Sequence, residues 1–124
     1  MVTRGPIASE HQEQAAFFSY LEIESHHRPE LNLIFAVPNA AKRTPRLGQW
    51  MKDEGMKPGV PDIVVPIPRA GFHGAFLEMK RKKGGVVSPE QNWWITALRE
   101  RLYFVTVCYG WDDAKFELEM YLSL

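Results

Sequence analysis

Gly59-Val60-Pro61-Asp62-Ile63-Val64-Val65-Pro66-Ile67 and, after a turn, Ala75-Phe76-Leu77-Glu78-Met79-Lys80-Arg81 are the stretches on which the reading of this 124-residue chain depends. Lys57 to Pro61 is a stiff, turn-rich approach to a strand expected from about Asp62 to Ile67. Ala70-Gly71-Phe72-His73-Gly74 makes a turn, and a further strand is expected from about Ala75 to Arg81. Strand alternation puts Phe76, Glu78 and Lys80 on one side, with Ala75, Leu77 and Met79 on the other. If the two strands pair as a hairpin, Asp62 and Glu78 converge at one end. Two carboxylates a few ångströms apart repel unless a proton or cation lies between them. Mg²⁺ suits such a pair because it takes hard oxygen ligands. Lys80, on the face of Glu78, can reach an attacking water or a phosphate oxygen. A metal that activates water and neutralises developing charge meets most of the demands of phosphodiester hydrolysis. Taken alone the pattern stays open: Glu-x-Lys is also common as a surface ion pair, and Pro-Asp as a turn.

The flanking sequence supplies the rest of an α/β fold. Ser9-Glu10-His11-Gln12 is a capping box that opens a helix running to about Ser25. Glu10, Gln14, Phe17, Phe18 and Leu21 share one face of it, with Glu13 at the edge. Acids and amides on an apolar face need partners, since burying them unpaired costs free energy. Leu31 to Val37 reads as the first strand, and Pro38 to Arg43 as a loop. Thr44-Pro45 opens a short helix that Gly55 ends. Ser88-Pro89-Glu90-Gln91 is a second capping box. On its helix Gln91, Trp94, Ile95, Leu98 and Leu102 share a face, with Trp93 opposite. Tyr103 to Tyr109 is a strand rich in β-branched and aromatic residues, and a last acidic helix follows Gly110. The order predicts a mixed sheet of about four strands with helices on its faces, in one domain over residues 9–124 preceded by a loose arm at 1–8.

The bulk properties permit this. Fifteen basic and fifteen acidic residues cancel, which by itself argues against a nucleic-acid partner, yet the charges are unevenly spread. Lys80, Arg81, Lys82 and Lys83 form one basic cluster and Lys42, Arg43 and Arg46 another; Asp112, Asp113, Glu117 and Glu119 gather near the C-terminus. Cys108 is the only cysteine, so a reducing compartment is expected. No apolar run has the length of a membrane span, and residues 1–6 do not read as a secretory leader. His11, His26, His27 and His73 lack metal-ligand spacing and read as surface or turn residues.

Gly59-Val60-Pro61-Asp62, Phe76 to Lys80 and Ser88 to Gln91, together with Glu10 and Gln14 on the first helix, resemble the VRR-NUC family, a branch of the PD-(D/E)xK nuclease superfamily. The resemblance covers residues 9 to 110 and implies a restriction-endonuclease-like core. It implies that Asp62 and Glu78 bind Mg²⁺ or Mn²⁺, with the backbone carbonyl of Met79 as a further ligand. Lys80 would position or activate the attacking water. Glu10 would bind metal directly or through water, and Gln91 would organise the site. The residues themselves leave alternatives: Glu10 also suits a first-turn acid that favours the helix dipole, Glu13 is the other candidate helix acid, and Gln91 also suits a simple capping residue. Lys42, Arg43, Arg46, Arg81, Lys82 and Lys83 are expected on the DNA backbone. Members that stand alone resemble Holliday-junction resolvases, which implies a homodimer acting on branched DNA in the cytoplasm of a bacterial or phage-infected cell. The competing readings are a DNA-binding accessory that keeps the fold without catalysis, and a structural core with an incidental Glu-x-Lys.

Overall fold

The computed structural model describes residues 6–38 and 44–124. Helix α1 spans Glu10–Ser25 and opens with the expected capping box: Gln12 N–H donates to Ser9 Oγ, and Ser9 N–H to Gln12 Oε1. The predicted strand over 31–37 is the main departure. Pro29–Leu33 is a 3₁₀ turn, and only Phe35–Ala36 (β1) is extended. Leu31 and Ile34 are buried while Leu33 is exposed, so the apolar pattern follows the three-residue period of the 3₁₀ turn and not strand alternation. Helix α2 covers Pro45–Asp53, capped by Thr44, and Gly55 follows at positive φ. Strand β2 is Ile63–Val65, shorter than expected because Pro66 and Pro68 bring no N–H to a ladder. Strand β3 is Ala75–Lys80 and β4 is Phe104–Tyr109. Between them lies helix α3, Pro89–Arg99; helix α4, Trp111–Leu122, closes the chain. Because α3 stops at Arg99, Leu102 leaves the predicted apolar face: it takes a positive φ and is exposed.

The sheet has the order β1-β2-β3-β4. β1 to β3 run antiparallel in turn, and β3 and β4 are parallel, joined by α3 as the crossover that parallel pairing requires. Ala75, Leu77 and Met79 on β3 meet Phe17 and Leu21 of α1 and Ala114, Leu118 and Tyr121 of α4 in one buried cluster. Glu78 and Lys80 alternate to the other face, where α3 lies. Glu13 of α1 faces the first residue of α4, and Arg28, just past α1, grips Glu119 near its end with two hydrogen bonds, at 2.9 and 2.6 Å. The two helices therefore run parallel. The Tyr20 hydroxyl also donates to Glu119. The Arg28 hydrogen bonds hold the Glu119 carboxyl below its usual range, while burial and that carboxylate push Tyr20 up to about 12.

Candidate active site

The register Ile63↔Leu77, carried one residue further, sets Asp62 opposite Glu78 at one end of the β2–β3 pair. That is the convergence the hairpin reading required. Asp62 Oδ2 accepts the Met79 N–H at 2.8 Å, so a backbone donor on the neighbouring strand orients the carboxylate. The first turn of α1 brings in Glu10. One carboxylate oxygen from each of Glu10, Asp62 and Glu78 lies within 4.8 Å of the others. Glu13 is not in this group, so Glu10 is the helix acid that approaches the strands.

The electrostatics favour a proton or a cation between the carboxylates. Asp62 and Glu78 are buried, and at an effective dielectric near 20 two unit charges at this spacing repel by roughly 3 kcal/mol. Burial first, and then the Asp62 charge, push the Glu78 carboxyl up to about 9. Glu78 Oε1 accepts from Gln91 Nε2 at 2.8 Å and has Lys80 Nζ at 3.6 Å. Its other oxygen, Oε2, is buried with no hydrogen-bond donor among the described residues. An unsatisfied buried carboxylate oxygen beside two more carboxylates fits a hard divalent cation.

Lys80 is nearly as buried, 6 % exposed, and its Nζ donates to Gln91 Oε1 at 2.9 Å. Gln91 Oε1 also accepts the Ser88 N–H at 2.9 Å. The two candidate roles of Gln91 are therefore one geometry: the residue caps α3 and, with the same amide, joins Lys80 to Glu78. Its helix is held close. Trp94 Nε1 donates to Pro58 O at 3.1 Å, and Gly59, at φ +87, lies so near the Glu90 backbone that an added Cβ would come within 2.6 Å of it. This contact is not evident from the sequence. Its signal was a glycine in a stiff, proline-rich turn immediately before Asp62.

The basic candidates are more scattered. Lys42 and Arg43 lie outside the described residues. Arg46 is exposed on α2, and Arg81, Lys82 and Lys83 are exposed just beyond β3. Lys82 pairs with Asp112 at 3.6 Å, an exposed contact of little energetic weight. His73 stacks edge-on against Tyr103 at the opposite end of β3, and so belongs to the turn and not to the acidic cluster. Trp93 is exposed, as its helix position predicted.

A mixed sheet with an acidic cluster and a lysine at one strand end is the nuclease core of the PD-(D/E)xK superfamily, and the comparisons narrow that class. The family model for the VRR-NUC domain matches residues 8–112, and the chain belongs to that family. A solved structure described as a VRR_NUC domain protein superposes with a TM-score of 0.76 at 23 % identity, covering 95 % of this chain and 91 % of that one. It is a likeness of fold. No curated protein matches the chain. Among the described residues no helix is long and apolar enough to cross a membrane.

The raised Glu78 carboxyl has a measurable consequence. Its folded value lies above its unfolded one, so the folded protein holds more protons between the ordinary carboxylate range and about 9. The metal-free protein should accordingly lose stability as pH rises through that window. A divalent ion held by this carboxylate would have to displace the proton. Mn²⁺ titrations at neutral pH, in buffers of different ionisation enthalpy, should show release of about one proton, with affinity strengthening toward alkaline pH. A buffer-independent heat would contradict this.

Proposed function

We propose that the chain is a divalent-metal-dependent endodeoxyribonuclease that acts as a homodimer on branched DNA. The observation that carries the reading is the convergence of half-buried Glu10 with buried Asp62 and Glu78, with Lys80 tied beside them through Gln91. Asp62, Glu78 and Glu10 would hold Mg²⁺ or Mn²⁺ through carboxylate oxygens, with the Met79 carbonyl as a further ligand. When bound, the ion supplies Lewis-acid stabilisation of the phosphate and a lowered pKa for water.

The protein's own residues do the rest. Asp62 keeps its orientation through the Met79 N–H. Lys80 orients the attacking water and offsets negative charge on the phosphate oxygens as the P–O bond breaks. Gln91 restrains the Lys80 ammonium and so reduces the reorganisation needed at the moment of reaction. Buried placement of Asp62, Glu78 and Lys80 keeps bulk water from screening them. Lys42, Arg43, Arg46, Arg81, Lys82 and Lys83 would contact phosphates along the DNA. Two copies related by a two-fold axis would match a two-fold DNA junction. The corresponding setting is the cytoplasm of a bacterial or phage-infected cell.

The test is a panel of four-way junction, flap, single-stranded and duplex DNA, each incubated with Mn²⁺ or with EDTA and resolved on a denaturing gel. Cleavage of the junction with Mn²⁺, and its loss in Lys80→Ala with DNA binding kept, is the expected result. Cleavage that persists in EDTA, or an undiminished Lys80→Ala, would overturn the assignment.

A further inference from the structure

We infer that Glu13 is a positioning residue for the acidic cluster, locking the first turn of α1 onto the start of α4 and so fixing where Glu10 stands. The inference rests on the metal-dependent reading of that cluster. Glu13 is 4 % exposed, yet it is not one of the three clustered carboxylates. Its Oε1 lies 3.5 Å from the Trp111 N–H, the first residue of α4, and its Oε2 is buried with no hydrogen-bond donor among the described residues. The hydrogen bond is a long one, and it sets a carboxylate oxygen as acceptor before the first N–H of α4.

Helix α4 opens without a side-chain cap hydrogen bond of its own. Its N-cap is Gly110, which offers no side chain, so the opening N–H groups lack the usual intrinsic cap. Glu13 supplies from a neighbouring helix what Ser9 and Ser88 supply within their own.

The start of α4 is itself registered to the site, because Gly110 N–H donates to the carbonyl of Lys80 at 2.9 Å. A short mechanical path thus runs from β3 through Gly110 and Trp111 to Glu13. One turn back along α1 from Glu13 lies Glu10, close to the same helix face. The far end of the helix pair is fastened independently by Arg28 and Glu119, so a change at Glu13 should free the first turn of α1 without undocking the helix. The groove above Glu13 has a volume of about 280 Å³ and is walled by Pro6, Ile7, Ala8, Lys82 and Lys83.

Isothermal titration of Mn²⁺ into wild type, Glu13→Asp and Glu13→Gln, well below their melting temperatures, separates the possible roles. Positioning predicts that Asp, which keeps the charge but is one methylene short, weakens Mn²⁺ binding by about tenfold. Gln, which keeps the length and an acceptor for the Trp111 N–H, should restore most of the affinity. Loss in Gln with retention in Asp would make the charge itself the contributor and overturn the inference. So would equal affinity in all three, whatever their melting temperatures, since that is what a merely structural carboxylate predicts. If wild type takes up no Mn²⁺, the metal reading fails first, and this is visible before any variant is compared.

Discussion

Asp62→Asn is expected to abolish Mn²⁺ uptake and to lower cleavage by on the order of a thousandfold, the cost typical of removing one preorganised electrostatic group. The asparagine carbonyl can still accept the Met79 N–H, so the strand pairing and DNA binding should survive. A second effect should accompany the first and run the other way. Removing one of the converging charges relieves Glu78, so the metal-free variant should melt above metal-free wild type. Thermal unfolding in EDTA, set beside cleavage in Mn²⁺, measures both. A variant that loses activity and stability together would show that Asp62 is a structural residue.

Gly59→Ala should have the largest effect on stability. The position combines a φ of +87 with an approach that would place Cβ 2.6 Å from the Glu90 carbonyl carbon. Left-handed backbone costs an alanine about 1 kcal/mol. The clash is with backbone, which cannot rotate aside, so the total should reach roughly 2–4 kcal/mol. For a domain of this size that corresponds to a fall in melting temperature of about 10 °C. Relief of the clash must push residues 58–61 away from α3, carrying Asp62 from Glu78 and Gln91. Activity should therefore fall by more than the unfolded fraction explains. A variant with wild-type melting and cleavage would mean that the turn and α3 separate freely.

Much of this arrangement was legible in the sequence where local chemistry and tertiary packing agree. The boxes at Ser9 and Ser88 fix two helix starts because their hydrogen bonds are made within four residues. Alternation along Ala75 to Lys80 was readable because one face is wholly apolar while the other carries Glu78 and Lys80. Leu31 to Val37 misled because alternating apolar residues also satisfy a 3₁₀ turn, and Pro29 decided between them. The cluster was half legible. Asp62 and Glu78 followed from a hairpin register, but choosing Glu10 over Glu13 requires the azimuth of α1 against the sheet, which only packing sets. The double duty of Gln91 was hidden for a similar reason: a capping glutamine looks the same in sequence whether or not a lysine and a carboxylate await its amide. The partner of Glu13 was beyond reading, because α4 begins almost a hundred positions downstream.

The wide spacing of these groups also bears on when the site comes into being. Glu10, the β2–β3 pair and Gln91 come from separate elements, and β4 and α4, made after them, complete the sheet and the support beneath α1. Contacts so far apart in the chain form only after their loop-closure entropy has been met. A chain emerging from the ribosome would carry Asp62 and Glu78 well before it can hold them against Glu10. A divalent cation would then find the three carboxylates assembled only on folded molecules, and α4, made after all of them, would set when that assembly is complete.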